Sequence, residues 1–389
     1  MPCKLGITSM SLGRASAGHC LTHRLDLAQA YGYQGIELFL DDLVEESIQF
    51  LDMDVTIASS AFEPQLSSDR FDVRVLAARI HGAMRIRKLC AERNLTIICL
   101  QPFANYEGLL DRQAHQLRLV ELEFWIQVAH ALGTDMIQIP SSYLPAAQVS
   151  DNMGLMARDL QEVADLGAQA RPRVRFVYEA LCWGTRVDTW EKSWELVKRV
   201  NRDNFGLCLD SFNIAGRIYA DPTSPTGTAA DADEAVRNSM ARLVKELRPH
   251  MNKVFYVQIV DAERLSRPLV EGHAFHNPEQ PPRMSWSRNC RLFYGEKEYG
   301  AYLPIRQIAE TLFHQLGYEG WVSLELFNRL RNESLMPGVL VSDVGATVPE
   351  QLASRGAESW RRLVRDLDLV VESRSLSHPG SFPEIAPEE

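Results

Sequence analysis

Eight short apolar runs alternate along this chain with segments whose apolar residues recur at helical spacing, and that order restricts the fold more than any other feature. The runs read as strands at KLGIT (4–8), GIELF (35–39), LTIICL (95–100), DMIQIP (135–140), VRFVYE (174–179), FGLCLD (205–210), VFYVQI (254–259) and WVSLEL (321–326). Helical spacing marks LDLAQAYG after the first, ARIHGAMRIRKLCAERN before the third, HQLRLVELEFWIQVAHALG before the fourth and LMARDLQEVADLGAQA before the fifth. It returns over about 189–200, 233–248, 304–316 and 349–371. Eight strands alternating with eight helices predict a single α/β domain, a (β/α)8 barrel. A doubly wound sheet would use the same alternation, but no GxGxxG follows a strand and no GxxxxGK[ST] occurs.

Four runs end on a polar residue: Glu179, Asp210, Gln258 and Glu325 close VRFVYE, FGLCLD, VFYVQ and WVSLE. Burying a carboxylate or amide costs free energy unless something pairs with it. Singly, each could cap a helix or meet a neighbouring Arg. Jointly, on strands five to eight at one end of a barrel, they form an oxygen-rich cage. If they point into the lumen, the period of two sends Val174, Phe176, Tyr178, Phe205, Leu207, Leu209, Phe255, Val257, Val322 and Leu324 outward beneath the helices. Three carboxylates and one amide, without imidazole or thiolate, suit Mg²⁺, Mn²⁺ or Co²⁺ better than Zn²⁺. Most histidines fall in helical patterns; of His19, His23, His273 and His276 in rim loops, His23 is the one placed to reach the site. An oxygen-bound divalent ion in a barrel mouth can polarise a carbonyl and stabilise an enolate, the chemistry of isomerases, epimerases and dehydratases.

Two long loops leave the same rim, over about 261–303 and 327–348. Loops of such length without obvious secondary structure are more often functional than idle. The first carries Arg283, Arg288 and Arg291 among Trp286, Phe293 and Tyr294. Arg recognises carboxylate or phosphate by a two-pronged hydrogen bond, so the group suggests a small anionic substrate, against the alternative of ion pairs with Glu296 and Glu298. Gln101, Tyr106, Trp183 and Asn213 follow strands three, five and six as candidate substrate contacts. Glu37, near the end of strand two, is either a rim acid or a helix-facing partner.

Composition narrows the partners. With 389 residues, 46% hydrophobic, the chain can bury a large core, and no run reaches the roughly 18 apolar residues of a membrane helix. A net charge of -10 opposes nonspecific binding of nucleic acid. The N-terminus reads as a first strand rather than a leader, and seven cysteines without a CxxC pair read as reduced thiols, which together point to the cytosol. The pattern leaves a homo-oligomer open. The Pro-, Ser- and Glu-rich end, 373–389, is expected to be a disordered tail behind a catalytic barrel spanning 1–372.

The segments KLGITSMSLGRASAGH, YGYQGIELF, CLQPFANYEGLLDR, FVYEALCWGTRVDTWE, NFGLCLDSFNIAGRIYADP, MSWSRNCRLFYGE and EGWVSLELFNR closely resemble the fungal 3-dehydroshikimate dehydratases of quinate catabolism, over residues 1 to 372. The resemblance implies a xylose-isomerase-like barrel and a divalent-metal lyase that converts 3-dehydroshikimate to protocatechuate. It places the metal ligands on Glu179, Asp210, Gln258 and Glu325, with Gln258 standing where related sugar epimerases usually have His. It implies catalytic places for Glu179, Glu325 and Asn213, substrate contacts at Gln101, Tyr106 and Trp183, and the substrate carboxylate at Arg288 or Arg291. Related bacterial dehydratases are expected to carry His at the position of Asn213, and Asn cannot act as a base. The proton then falls to another group, such as a ligand carboxylate, and its loss from C4 or from C6 gives an enolate in either case. A ketose isomerase or epimerase of the same barrel class is the nearest rival, opposed by Gln258 and the arginine loop. An abasic-site endonuclease would need a His-rich zinc site and a basic groove, and a metal-free binding protein would not need four ligands.

Overall fold

The computed structural model describes residues 2–51, 73–333 and 347–372. The expected tail and part of the second long loop lie outside them. Among the described residues the strands are β1 (Lys4–Thr8), β2 (Gly35–Phe39), β3 (Thr96–Gln101), β4 (Met136–Pro140), β5 (Arg175–Glu179), β6 (Phe205–Asp210), β7 (Val254–Gln258), β8 (Asp261–Ala262), β9 (Arg291–Leu292) and β10 (Trp321–Leu324). Eight of them close a parallel barrel in the order β1-β10-β7-β6-β5-β4-β3-β2, as the alternation of runs predicts. The strands β8 and β9 form a separate antiparallel ribbon.

The helices are α1 (Leu21–Ala30), α2 (Leu40–Ile48), α3 (Val73–Glu92), α4 (Arg112–Leu132), α5 (Met153–Gln169), α6 (Trp190–Val200), α7 (Ser211–Ile218), α8 (Ala232–Leu247), α9 (Pro282–Cys290), α10 (Ile305–Glu310) and α11 (Val348–Leu367). Their ends follow local chemistry. Asp111, Asn152 and Thr189 accept backbone N–H groups at the starts of α4, α5 and α6, satisfying donors that have no partner inside the helix. Gly133, at φ 78°, ends α4 in the left-handed conformation that glycine adopts without strain. Helices α2, α7 and α9 are additions to the expected eight. The loop over 261–303 is therefore not structureless: it holds β8, α9 and β9, with Pro282 opening the helix.

The barrel wall obeys the period of two. Val174, Phe176, Tyr178, Phe205, Leu207, Leu209, Val257, Val322 and Leu324 pack in the large core beneath the helices, while Val177, Cys208 and Tyr256 join Ile98, Cys99 and Met136 in a small apolar cluster within the lumen. Phe255 departs from the expected outward phase and packs against the lumen cluster. The cause is a register shift. Leu207 pairs with Val254 but Cys208 pairs with Tyr256, so Phe255 is the extra residue of a bulge. A second bulge acts on β3, where Ile36 pairs with Ile97 but Glu37 with Cys99. The extra residue resets the alternation and puts Cys99 and Gln101 in step with Glu37. Gly6 and Gly35 leave room for this floor, since a Cβ on Gly6 would lie 2.6 Å from Ile98 and one on Gly35 2.7 Å from the Trp321 ring.

Candidate active site

Above the apolar floor, strand after strand contributes a buried polar side chain: Glu37, Gln101, Gln138, Glu179, Asp210 and Gln258, joined by Glu325 immediately past β10. Carboxylate oxygens of Glu179, Asp210 and Glu325 lie within 4.8 Å of one another, close enough to hold one metal ion. Burial raises the pKa of all three above the ordinary carboxylate range. Their mutual repulsion adds to this at Glu179, while Arg291 opposes it at Asp210 and Glu325.

The fourth expected ligand, Gln258, neighbours Asp210 across the sheet. Its Nε2 donates to both Glu37 oxygens, at 3.1 and 3.0 Å, and its Oε1 is buried with no partner among the described residues. Glu37 thus fixes which end of the amide is free, and the free end is a lone-pair oxygen. Three carboxylates and an oriented amide oxygen fit a hard divalent cation by donor type. Glu37 is itself held by Gln101 Nε2 (2.8 Å) and the Tyr256 hydroxyl (2.7 Å), which resolves its place as an inward member of the site rather than a helix-facing acid.

Asn213 sits one turn into α7. Its Nδ2 donates to Glu179 Oε1 (2.8 Å) and Asp210 Oδ2 (2.7 Å), and its Oδ1 accepts from the Cys182 N–H (3.0 Å). Both N–H donors of the amide are committed to bracing two carboxylates. Gln138, which the sequence reading did not single out, donates to Glu179 Oε2 at 2.7 Å. A polar residue two before the end of an apolar strand was the signal that could have found it.

Arg291 is buried at the start of β9, with its Nη1 bridging Asp210 Oδ2 (2.9 Å) and Glu325 Oε2 (3.0 Å) and its Nε donating to Ser287. Burial works against its charge, but Asp210, Glu325 and Glu179 more than offset this and hold its pKa above the ordinary value. It braces the cage rather than standing free for a substrate.

A cavity of about 260 Å³ opens above the cage, lined among others by Gln101, Gln138, Glu179, Trp183, Arg288, Arg291 and Glu325. Trp183 brings an indole N–H that has no partner among the described residues. Arg14, Asp41, Tyr143, Phe327 and Arg331 also line it and were not foreseen. Asn213, expected as a substrate contact, braces the carboxylates and does not line it, and neither Tyr106 nor His23 reaches it. Tyr106 is fully buried in the outer core, its ring 5.7 Å from Phe103 and 5.0 Å from His115, because Asn105 at φ 57° turns the chain and aims Tyr106 at α4. His23 lies exposed on α1.

Comparison with known proteins agrees with the barrel fold. A family model described as xylose isomerase-like TIM barrel matches residues 25–363. A 3-dehydroshikimate dehydratase of Neurospora crassa is 56% identical over 97% of this chain and 98% of its own. A protein of the same name from Pseudomonas aeruginosa is 28% identical over 82% of this chain, which covers 38% of that longer sequence. Among solved structures, the IOLI protein with a bound zinc atom superposes with a TM-score of 0.61 at 16% identity, over 95% of this chain and all of that one, a likeness of fold.

Proposed function

The chain belongs to the xylose isomerase-like TIM-barrel family and, within it, to the 3-dehydroshikimate dehydratases, and we propose that it is a hydro-lyase removing water from 3-dehydroshikimate to give protocatechuate. The observation that carries the reading is the near full-length likeness to the Neurospora enzyme, together with a barrel mouth that gathers three carboxylates and an oriented amide oxygen. Glu179, Asp210, Gln258 and Glu325 would hold a divalent ion, of which Mg²⁺, Mn²⁺ and Co²⁺ suit the donors best. When bound there, such an ion supplies Lewis acidity toward the ketone and the adjacent hydroxyl of the substrate.

The remaining work falls to the chain's own groups. Glu179 and Glu325 line the cavity, and burial raises the pKa of both, that of Glu325 to about 8, so each carboxyl takes up a proton more readily than an ordinary carboxylate. The carbon acid loses a proton, the C5 hydroxyl leaves as water with a second proton, and aromatisation makes the loss irreversible. Asn213 and Gln138 hold Glu179 in place by hydrogen bonds and exchange no proton. Gln101 and Trp183 offer polar contacts along the wall, and Arg288 stands at the exposed rim, where it draws in an anion. On this reading the barrel within 1–372 carries the whole activity and meets a soluble metabolite in the cytosol. An ultraviolet assay of chelator-stripped protein with 3-dehydroshikimate tests it, each metal being restored separately. Metal-dependent appearance of protocatechuate is expected, whereas turnover of ketoses in its place would overturn the assignment.

A further inference from the structure

Arg331 has no part in the chemistry above, yet it is one of four arginines that line the cavity. It lies in the 3-10 turn Arg329–Asn332 beyond β10, only 4% exposed, with its guanidinium carbon 4.4 Å from the centre of the Phe327 ring. Its Nε and Nη1 are buried without an acceptor among the described residues. Arg331 lines the cavity. The neighbouring arginines are accounted for. Arg291 is spent on Asp210, Glu325 and Ser287; Arg283 donates to the carbonyls of Gly216 and Ala220; Arg14 faces Asp41 at 3.4 Å and Asn332 at 3.3 Å; Arg288 stands exposed at the rim, although partial desolvation lowers its pKa.

A buried guanidinium without an anion is an unfavourable state that a carboxylate relieves, and guanidinium is shaped for that ligand. Burial, reinforced by Arg14, already drives the Arg331 pKa down to about 9, with Asp41 and Glu325 offsetting only part of it. We propose that Arg331 is the group that binds the substrate carboxylate and that this contact makes the enzyme select carboxylated rings over uncharged ones. The proposal rests on the dehydratase reading, and the chemistry of that substrate fits it. The ketone and hydroxyls that react lie on one edge of the ring and the carboxylate on the other. The anion must therefore be read by a group apart from the cage that still faces the same cavity.

Protocatechuate and catechol share the adjacent hydroxyls and differ only by the carboxylate, so their binding ratio isolates this contact whatever the metal contributes. The experiment measures inhibition constants of both, and kcat and KM for 3-dehydroshikimate, in the metal-loaded wild type, Arg331→Gln, Arg331→Lys and Arg288→Gln. The wild type is expected to prefer protocatechuate by about 100-fold. Arg331→Gln should lose nearly all of that preference, with catechol binding unchanged and KM raised about 100-fold while kcat falls far less. Arg331→Lys, which keeps the charge and the stem, should retain part of the preference and serves as the readout if the glutamine variant does not fold. Arg288→Gln should keep most of it. A wild type that binds both ligands alike, or an Arg331 variant that keeps the full preference, overturns the proposal. A wild type that discriminates between them but does not turn over 3-dehydroshikimate overturns the dehydratase reading instead.

Discussion

Two clusters of acidic groups in this molecule look alike by composition and differ in what balances them. In the lumen, Glu179, Asp210 and Glu325 share one guanidinium, that of Arg291, and Glu37 stands beside them with only neutral donors. Between α4 and α5, His115, Asp159 and Glu162 also bring ligand atoms within 4.8 Å. There, however, Asp159 is gripped by Arg112 at 2.7 and 3.2 Å and by the Gly108 N–H at 2.8 Å, His115 Nε2 meets Glu162 at 2.7 Å, and Glu162 reaches water. The outer cluster is already neutralised and solvated. The inner one is desolvated and short of positive charge, so proximity of carboxylates is a weaker sign of a metal centre than an unmet charge.

Substitutions should separate the two regions sharply. Glu325→Gln removes a ligand charge from the inner cluster and should lower kcat by about 10³-fold or more with the fold retained, as followed by protocatechuate formation and circular dichroism. Asp159→Asn should leave kcat within about two-fold of the wild type, and a large loss there would break the comparison. Glu37→Gln, which frees the Gln258 amide to turn, should weaken metal affinity by about 10-fold in a calorimetric titration, with little change in melting temperature. A metal affinity that does not move would mean the amide is held by other means.

Two smaller effects concern stability. Asp159→Asn breaks a partly exposed Arg112 pair and should cost about 1–3 kcal/mol in denaturant unfolding. The inner carboxylates should act through pH in the opposite sense to an ordinary salt bridge. The folded pKa of Glu325 lies at about 8, above its ordinary 4.5, so the metal-free fold holds its proton more tightly than the unfolded chain. As far as this group is concerned, the stability of the metal-free protein should be at its full value at and below pH 4.5 and fall as pH rises toward 8. A bound divalent ion should abolish that slope. Melting curves with and without metal across this range check it, and identical slopes would remove the charge deficit from the argument.

Much of this was readable from the amino-acid order. Strand ends fall within two residues of the apolar runs, and the inward phase of Glu179, Asp210 and Gln258 follows from alternation alone. Glu325 lies one residue beyond its strand, yet the phase set by Trp321 and Ser323 carries through to it. What stayed hidden depended on departures from regularity. The bulge before Glu37 determines that Gln101 faces the lumen, and nothing in GIELF or LTIICL announces it. Tyr106 misled because a single left-handed residue, Asn105, reverses which layer the next side chain enters. Arg291 was assigned to the substrate because its partners, Asp210 and Glu325, lie 81 and 34 residues away and meet it only after the barrel closes.

Asp210 ends β6, and α7 begins at the next residue, with no connecting loop. Its Oδ1 caps that helix through the Phe212 N–H at 2.8 Å, and its Oδ2 takes Asn213 and Arg291. One oxygen thus serves the architecture and the other faces the cage, so as a proposed ligand the residue would offer a metal ion one oxygen rather than two. The joint between strand and helix and the proposed grip on an ion would then be one side chain. Fraying of the first turn of α7 would loosen that grip, so heat should release metal at temperatures where the rest of the barrel is still intact.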